Sequence, residues 1–389
     1  MKKIILLMSD MECGGVQVSL LNFLKELQKY DVDITMLFDS VSGEWLDRLP
    51  QGIRIEEVKY QCEGFHKLLR PHRRVDFVQN LIYHGVVHLI DDCVKQKVDR
   101  NKRYTFLLNH IKVPDETYDI AIDYHGYGFL TTSILAQKIH AKYKAVFIHD
   151  ENMDCMHMVK CDLQKINTFF SVSRSCQRQF AEKFPECAAR SDFFPNIIDV
   201  DDIKAKSESP CDIVKDPNSL TIITVGRVMG QKGYDFAVEV AEELKKRGVP
   251  YKWYCVGDGL CMEEIKSLIH SKGLEDRFFM LGRKENPYPY IKMADLYVQT
   301  SRHEGFGLAI AEALVLGKVV LSTDLDCVAE QIENGYNGVL APMDTQVFAD
   351  AIYSLNPQGE RYKDIKENIK REDYVCAVDV WKYIESMLL

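Results

Sequence analysis

Two carboxylates flank a glycine-rich turn in the second half of the chain. Glu304 stands directly before the turn 305–307, and Glu312 follows eight residues after Glu304. The apolar residues 296–298 predict a short buried strand, and a helix is expected to begin at about Phe306. The first amides of a helix bind anions, and ionised carboxylates accept hydrogen bonds from sugar hydroxyls. The pattern therefore predicts a site for a phosphorylated sugar; the alternative is two ordinary glutamates on a solvated helix.

A second group of residues could stabilise a diphosphate. Arg227 and Lys232 lie between Gly226 and Gly233, after the apolar residues 220–225, which predict another strand. An arginine fork and a lysine point charge bind phosphate oxygens differently, so neither should replace the other well. If the diphosphate is a leaving group, cations fixed beside it lower the barrier as its negative charge grows. The alternative for Arg227 is a surface arginine that follows a strand.

Strands and helices alternate along the chain, which is the pattern of parallel sheets covered by helices. The expected strands of the first half are 4–8, 34–38, 120–124, 145–148 and 169–172. Those of the second half are 220–225, 253–256, 278–281, 296–299 and 319–321. The polar residues 199–219, with two prolines, predict a linker. We therefore expect an α/β protein with two doubly wound domains that face each other across a cleft.

The segments around these residues resemble retaining glycosyltransferases of family 4, which have the GT-B fold. The C-terminal segments that carry the resemblance are EGFGLAIAE at 304–312, GRVMGQKG at 226–233, VGDG at 256–259 and the run 281–301. The N-terminal segments are GGVQ at 14–17, FIHD at 147–150, SVS at 171–173 and PNIID at 195–199. The resemblance is strong over 220–341 and thin over 39–117. The loop after Thr323 departs from the family pattern, which often has small residues there.

The resemblance implies a GT-B architecture of two Rossmann-like domains. Residues 1–198 would bind the acceptor, 199–219 would link the domains, and 220–371 would bind the nucleotide-sugar donor. Residues 372–389 carry Val375, Val378, Trp381, Ile384 and Leu388 on one helical face. This C-terminal helix is expected to cross back and complete the first domain.

The resemblance also implies an activity. A hexose-type sugar would pass from a nucleotide sugar, with UDP as the expected nucleotide, with retention of anomeric configuration. The acceptor would attack on the face that the diphosphate leaves, and the phosphate would help to take the acceptor proton. The product would belong to a bacterial surface polysaccharide such as a capsule, and the acceptor would be a glycan or a lipid-linked glycan.

The same resemblance assigns residues to roles. The implied catalytic residues are Arg227, Lys232, Glu304 and His149. The implied donor-binding residues are Gly14, Gly15, Gly226, Gly257, Arg283, Gly305, Phe306, Gly307, Leu308 and Glu312. The acceptor-side candidates are His149, Asp150, Asp123 and His125. His149 follows an apolar strand, so a histidine packed at a strand end is its alternative reading.

Within that set, each part of the donor has an expected partner. Glu304 would bind hydroxyls of the transferred sugar, with the amides of 305–308 near the sugar and phosphate, and Glu312 would accept hydrogen bonds from the ribose. The backbone around Arg283, with Gly257, would meet the base. The glycines at 14–15 would approach the diphosphate when the cleft closes.

Composition is that of an ordinary two-domain enzyme. The chain has 389 residues, of which 46% are hydrophobic and 28% are charged, so two cores are expected. No apolar run has the length of a membrane span, and the apolar stretch at the start of the sequence is too short for the apolar region of a secretory signal peptide. Twelve cysteines without a Cys-x-x-Cys pair predict reduced thiols in the cytoplasm. The net charge of −9 does not suggest nucleic-acid binding.

The segment 66–112 differs from the rest of the chain in charge. It holds ten lysines or arginines against four aspartates, a net charge of +6, with apolar residues at near-helical spacing. This predicts an amphipathic basic helix that lies on an anionic membrane surface, which would place the enzyme on the inner face of the cell membrane. A solvated helix with a basic face is the alternative.

A metal-dependent route and other function classes are the remaining alternatives. Asp-x-Asp pairs occur at 31–33, 199–201 and 324–326, and only the third lies near the expected cleft. None has the surroundings of a metal-dependent sugar transferase, so we expect no cofactor and no metal. A non-catalytic nucleotide-sugar-binding subunit would keep the fold without the cations. A sugar-nucleotide epimerase or a phosphorylase would share the two-domain architecture.

Overall fold

The structure is a computed structural model in which residues 1–60, 108–128, 130–369 and 379–388 are described. Its main features are two parallel sheets, each covered by helices on both faces. The predicted basic segment 66–112 lies outside the described residues except for its last five positions.

The first sheet has seven parallel strands in the order β3-β2-β1-β6-β7-β8-β9. Its strands are β1 (Lys2–Met8), β2 (Val32–Phe38), β3 (Arg54–Glu57), β6 (Thr117–Asp123), β7 (His140–Ile148), β8 (Thr168–Ser171) and β9 (Ser191–Phe193). A small antiparallel pair, β4 (Lys59–Tyr60) and β5 (Ile111–Lys112), lies beside it. The order is that of a doubly wound sheet, which binds ligands where the winding reverses, here between β1 and β6.

The second sheet has six parallel strands in the order β12-β11-β10-β13-β14-β15. Its strands are β10 (Leu220–Val225), β11 (Tyr251–Val256), β12 (Phe278–Met280), β13 (Leu296–Gln299), β14 (Val319–Thr323) and β15 (Val339–Ala341). The winding reverses between β10 and β13. All ten expected strands are present, eight of them within two residues of their predicted bounds; β6 begins three residues and β7 five residues before the predicted start.

The strands are apolar because both faces of each sheet are covered. Residues 4–8 of β1 are all buried, and Ile4 lies in register with Ile34 on one side and Ile120 on the other. A strand covered on both faces carries a continuous apolar run instead of alternation. The same reasoning applies to residues 222–224 of β10, whose neighbours are β11 and β13.

Thirteen α-helices occur in the described part of the chain. In the first sheet's domain they are α1 (Gly15–Leu27), α2 (Leu130–Gln137), α3 (Lys160–Leu163) and α4 (Arg174–Lys183). In and after the expected linker they are α5 (Val200–Ser207), α6 (Tyr234–Lys246), α7 (Met262–Ser271), α8 (Tyr288–Met293), α9 (Leu308–Val315), α10 (Asp326–Ala329), α11 (Thr345–Ser354), α12 (Glu360–Asn368) and α13 (Val380–Leu388). Short 3-10 turns cover Leu46–Arg48, Asp154–Val159, Pro185–Arg190 and Gly230–Lys232.

The expected linker contains a helix. Asp199 caps α5 by accepting a hydrogen bond from the amide of Asp202, and Ile203 packs against Ala311 and Val315 of α9. The two prolines that suggested an irregular segment lie beyond this helix. The linker is therefore partly a packed element of the second domain and not a free tether.

The C-terminal helix α13 packs on the first domain, in agreement with the predicted crossing. Val380, Ile384 and Met387 are buried in the core that contains β1 and α1. Trp381 stacks on Tyr30 with ring centroids 4.5 Å apart. Residues 372–378 and 389 of the expected helix lie outside the described residues.

Candidate active site at the interdomain cleft

A cavity of about 1380 Å³ lies between the two domains. It sits at the ends of β1, β10 and β13, where the winding of each sheet reverses and where doubly wound folds bind ligands. The predicted site residues that line it are Gly14, Gly15, His149, Asp150, Gly226, Arg227, Lys232, Gly257, Arg283, Glu304, Gly305, Phe306, Gly307, Leu308 and Glu312. The structure thus brings together residues from widely separated parts of the sequence.

Glu304 is buried at the centre of a hydrogen-bond cluster. Its Oε1 atom accepts from Lys232 Nζ at 2.6 Å, from Ser301 Oγ at 2.6 Å and from Gln299 Nε2 at 3.2 Å. Gln299 is in turn held by Tyr297, whose hydroxyl donates to its Oε1 at 2.6 Å. These three contacts all fix the carboxylate through Oε1, and Oε2 accepts no hydrogen bond from the described residues.

Sequence reasoning gave Lys232 and Glu304 separate roles, and the structure joins them in one ion pair. The Lys232 side chain is 18% exposed and that of Glu304 is 7% exposed. An ammonium group has three donors, so pairing with Glu304 leaves two for other acceptors. Gln299 and Ser301 were missed, although polar residues at the end of an apolar parallel strand were a signal for them.

Arg227 is exposed in the cleft after β10. No ion pair to it is present in the described part of the chain, so its guanidinium is available to an anion. The neighbouring Gly226 accepts a hydrogen bond at its carbonyl from the Tyr234 hydroxyl at 2.8 Å. A Cβ atom on Gly257, whose φ is +153°, would lie 1.8 Å from that same carbonyl oxygen. Only glycine fits there, because the two loops touch through backbone.

The turn that follows Glu304 touches the other domain. A Cβ atom on Gly305 would lie 1.8 Å from the carbonyl oxygen of His149. Gly307 has a left-handed φ of +87° and is the residue before α9, which begins at Leu308 and not at about Phe306 as predicted. The left-handed residue delays the helix, because helical geometry starts only after it. The first residues of α9, 308–310, line the cavity, and the first amides of a helix have no helical partner of their own.

Glu312 is buried on α9 and lines the other part of the cavity. Its Oε1 atom accepts a hydrogen bond from the Tyr288 hydroxyl at 3.1 Å. Burial raises the pKa of the Glu312 carboxyl to about 7, while the hydrogen bond from Tyr288 and the charge of Lys206 oppose that rise. Tyr288 and Lys206 were not predicted. Their role depends on how α8 and α5 pack on α9, which the local sequence does not reveal.

His149 is a packed residue that also borders the cavity. Its Nε2 atom lies 2.7 Å from the carbonyl oxygen of Tyr124, and its ring stacks on Phe147. A carbonyl can only accept, so Nε2 carries the proton and Nδ1 is left as an acceptor. Burial lowers the pKa of His149 to about 4, which keeps the imidazole neutral. The packing at a strand end, which was the alternative interpretation, is present, and the functional role of His149 stays a prediction.

The other acceptor-side candidates fall in different places. Asp150 joins the two domains, because its carboxylate accepts from Gln231 Nε2 at 3.1 Å and lies 3.2 Å from His303 Nδ1. Asp123 does not reach the cleft. It is fully buried, and its oxygens accept from Thr132 Oγ1 at 2.5 Å and from the Gly126 amide at 3.1 Å.

Burial raises the pKa of the Asp123 carboxyl to about 6. Its hydrogen bonds hold the loop after β6, and among the described residues Asp123 does not line the cavity where the sequence analysis had expected it. His125 is not among the residues that line the cavity in the described part of the chain. Burial lowers its pKa to about 4.

Two ion pairs cross the outer end of the cleft in opposite senses. Arg283 of the second domain pairs with Glu44 of the first, and Arg48 of the first pairs with Glu285 of the second at 2.7 Å. The sequence assigned only the backbone around Arg283 to the site, so its ionic role was missed. Each domain contributes one cation and one anion to this closure.

A third contact between the domains involves the start of α4. The Glu330 carboxylate accepts from the amides of Arg174 at 2.9 Å and Ser175 at 2.6 Å. Ser173 caps the next free amide, that of Cys176, at 3.0 Å. A carboxylate at a helix N-terminus is favoured by both hydrogen bonding and the helix dipole. A residue of the second domain therefore completes a helix of the first.

Residues with metal-binding chemistry do not converge in the part of the chain that the structure describes. It contains no group of three or more histidines, cysteines, aspartates or glutamates that could hold a metal ion. Of the Asp-x-Asp pairs, Asp199 pairs with Lys25 and Asp326 pairs with Arg178 at 3.4 Å. No helix among the described residues is long and apolar enough to cross a bilayer.

Comparisons with known proteins agree with this architecture. Residues 206–372 match the family described as glycosyl transferases group 1. The alpha-D-kanosaminyltransferase of Streptomyces kanamyceticus is 30% identical over 150 residues, 38% of this chain and 39% of that protein. The poly(ribitol-phosphate) alpha-N-acetylglucosaminyltransferase of Staphylococcus aureus is 31% identical over 117 residues, 30% of this chain and 24% of that protein. The matches thus span about two fifths or less of these relatives.

Solved structures match over almost the whole chain. Alr3699/HepE from Anabaena, solved with UDP and glucose, aligns with a TM-score of 0.68 and 18% identity over 100% of this chain and 98% of that one. TarM, which has also been solved from S. aureus, aligns with a TM-score of 0.69 and 15% identity over 100% of this chain and 98% of that one. The fold is therefore that of the GT-B glycosyltransferases, and the part of the chain that matches the glycosyl transferases group 1 family lies mostly in its second domain.

Proposed function

We propose that the protein is a retaining glycosyltransferase of family 4. It moves a hexose-type sugar from a nucleotide sugar to a glycan or lipid-linked glycan in bacterial surface polysaccharide synthesis. The observation that carries the proposal is the combination, in one interdomain cavity, of the exposed Arg227, a Lys232–Glu304 pair and a buried Glu312 around the start of α9. Cations suit the diphosphate, and carboxylates suit the hydroxyls at either side of it.

The two cations have different tasks in this proposal. Arg227 is exposed and unpaired among the described residues, so it can turn toward the diphosphate without breaking an existing contact. Lys232 is held by Glu304 and supplies its remaining donors from a fixed position. Charge that grows on the leaving diphosphate is stabilised most by groups that need no rearrangement.

Glu304 and the turn after it would hold the transferred sugar. The carboxylate is fixed through Oε1 by three donors, so Oε2 presents a defined acceptor to sugar hydroxyls. The Gly305 backbone lies against His149, which sets the sugar beside the first domain, where an acceptor would enter. Fixing both reactants in one geometry lowers the entropic part of the barrier.

The retaining, front-face reaction needs no protein base in this proposal. His149 is neutral with Nδ1 as an acceptor, but its low pKa makes it a weak proton acceptor. Asp150 is engaged with Gln231 and His303. The leaving phosphate is then the group that takes the acceptor proton, while His149 orients a hydroxyl.

UDP is the proposed nucleotide. It is supported by the fold neighbours Alr3699/HepE, solved with UDP-glucose, and S. aureus TarM, solved with UDP and alpha-GlcNAc-glycerol. No metal is assigned, so full activity is expected in a chelator. Activity that is lost in chelator and restored by Mg²⁺ or Mn²⁺ would contradict this.

Membrane attachment is part of the proposal on sequence grounds alone. The basic segment 66–112 would lie on an anionic surface and bring the enzyme to a lipid-linked acceptor. Flotation with anionic and neutral liposomes tests this point. Equal recovery with both lipids would remove it.

The main test combines binding with turnover. A thermal-shift panel of UDP, GDP and ADP with their common sugars, in chelator, ranks donors without knowledge of the acceptor. One nucleotide series should stabilise the wild type, and the shift should shrink in Glu312→Ala. Arg227→Ala should lower turnover by about 10²- to 10³-fold, whereas the exposed Arg361→Ala should not.

A wild type that no nucleotide stabilises would contradict the proposal and favour a binding subunit that needs a partner. An Arg227→Ala variant that retains a third of the wild-type rate would contradict the role of that arginine. Conversion of the donor in the absence of any acceptor would indicate an epimerase.

A further inference from the structure

Tyr288 makes a contact that the proposed mechanism does not yet use. It is the first residue of α8, and its hydroxyl donates to Glu312 Oε1 at 3.1 Å. Within the described residues this is the only hydrogen bond to that carboxylate from a side chain. The Tyr288 ring packs in the small apolar cluster that joins α5 to α9, beside Ile198 and Ile203.

We propose that Tyr288 is a positioning residue that fixes the Glu312 carboxylate as an acceptor for the ribose hydroxyls of the donor nucleotide. The inference rests on the proposed function, in which the cavity takes a nucleotide sugar. It adds a specificity element for ribose over deoxyribose that lies outside the glycine-rich turn and on a different helix.

The geometry of the pair supports this role. The terminal torsion of a glutamate is broad, so an unsupported carboxylate samples many orientations. Tyr288 occupies Oε1 from one side and is itself held by packing, which leaves Oε2 as the acceptor for a ligand in the cavity. A pre-oriented acceptor loses less entropy when the ligand binds.

Tyr288 also affects the protonation state of the Glu312 carboxyl. Burial raises the pKa of this carboxyl to about 7, and the Tyr288 hydrogen bond opposes the rise. A protonated carboxyl would donate from one oxygen and lose acceptor capacity for hydroxyls. By favouring the ionised form, Tyr288 increases the fraction of Glu312 in which both oxygens are acceptors.

Other ionisable groups around this pair come from three elements. Tyr297 faces it from β13, Lys206 and Asp202 face it from α5, and Asp199 lies at the start of α5. Lys206 favours the ionised carboxylate, while the two aspartates oppose ionisation of Tyr288. Since none of these groups donates a hydrogen bond to Glu312 in the structure, the tyrosine hydroxyl is the directional contact.

The test compares Tyr288→Phe with wild type by isothermal titration calorimetry. The probes are UDP-glucose and its 2′-deoxyribose counterpart, with GDP-mannose and ADP-glucose for the case that another base is preferred. Wild type should prefer the ribose form. In Tyr288→Phe the affinity for that form should fall by about tenfold at neutral pH, the size of a hydrogen bond to a charged group.

Two features separate positioning from a general structural loss. Tyr288→Phe should weaken binding of the deoxyribose form less than binding of the ribose form, because the deoxyribose form lacks a hydroxyl that Glu312 would bind. The ribose affinity of the variant should also recover as the pH is raised to about 8.5, because the carboxyl without its tyrosine ionises at higher pH. With a reaction assay, KM should change and kcat should change little.

The chain offers a matched control on the same helix. The hydroxyl of Tyr290 donates to the carboxylate of Asp212 at 2.6 Å, outside the cavity. Tyr290→Phe removes the same atom and the same type of bond, and its nucleotide affinity should equal that of wild type. A double variant, Tyr288→Phe with Glu312→Gln, should bind no more weakly than Glu312→Gln alone, because the tyrosine acts through the glutamate.

The outcomes are distinct. If wild type binds none of the nucleotide sugars, the proposed function fails and the inference fails with it. If wild type discriminates ribose from deoxyribose and Tyr288→Phe does so equally at every pH, the proposed function stands and the inference is overturned. Equal losses in the Tyr288 and Tyr290 variants, or fully additive losses in the double variant, would also overturn it.

Discussion

Replacing Glu312 with glutamine is expected to stabilise the ligand-free protein at alkaline pH. The residue is 8% exposed, and its carboxyl has its pKa raised from 4.5 to about 7 by burial. Glutamine has nearly the same shape, and its amide oxygen can still accept the hydrogen bond from Tyr288. The substitution therefore removes a buried charge and leaves the packing unchanged.

The sign follows from the proton that the folded state holds more tightly. Because the folded pKa is the higher one, the neutral carboxyl contributes stability that is fully present below pH 4.5 and is lost as the pH rises through about 7. Glutamine cannot ionise, so the variant does not lose this contribution. Its advantage over wild type should grow between about pH 5 and about pH 8.5.

The magnitude comes from the same two values. A difference between 4.5 and about 7, at about 1.4 kcal/mol for each pH unit, corresponds to about 3.5 kcal/mol at full ionisation. At about pH 5 the unfolded chain has already begun to ionise, so the change between the two pH values is smaller, about 2 to 3 kcal/mol. Relaxation of the site or entry of water would lower it further.

The free energy of unfolding of wild type and Glu312→Gln is measured in urea at about pH 5 and about pH 8.5. A spectroscopic signal from the second domain monitors the unfolding. The exposed Glu264→Gln serves as the control for replacing a glutamate with glutamine in the same domain. A Glu312→Gln advantage that is the same at both pH values, within about 0.5 kcal/mol, would refute the reasoning. The same variant should bind nucleotide sugars more weakly, so stability and binding would change in opposite directions.

Three further predictions concern contacts between the domains. Gly305→Ala would place a Cβ atom 1.8 Å from a carbonyl oxygen of the other domain, so turnover should fall by at least about a hundredfold. The control Gly230→Ala, whose Cβ would have nothing within 4 Å, should stay active, and equal rates in the two variants would contradict the close packing. Glu330→Gln should weaken the cap on α4 by about 1 kcal/mol and speed hydrogen exchange at its first amides, and unchanged exchange there would speak against that cap. Glu44→Arg and Arg283→Glu should each raise KM for the donor and the double exchange should restore it, whereas additive losses would exclude a direct pair.

The sequence predicted the strands and the two-domain architecture well, because buried parallel strands leave a continuous apolar record. Leu220–Val225 is an example, with turn residues directly after it. The helix in the expected linker was missed although Asp199 is a good N-cap residue with acidic neighbours in the first turn. Its apolar face is short and becomes meaningful only when it packs on α9.

Most of the residues expected in the candidate site line the cavity, but the contacts among them were not predicted. The Lys232–Glu304 pair joins positions 72 residues apart, and no local pattern states that two such groups will touch. Asp123 was expected on the acceptor side, but its carboxylate accepts hydrogen bonds from Thr132 and Gly126 within its own domain. Tyr288 lies in a segment with no obvious chemistry, and its importance comes from the neighbouring helix.

The packing of α13 has a consequence for recombining domains between such proteins. This helix belongs to the first domain in space, since Trp381 stacks on Tyr30 and Ile384 enters the core beside α1. A chimera that exchanges only residues 1–198 would set a foreign helix against α1, whose first residues border the cavity. Grafting a new first domain therefore requires two separate pieces of sequence, residues 1–198 and α13. In a chimera with a single crossover, a loss of activity could come from poor packing of α13 on the new domain and not from a change of specificity.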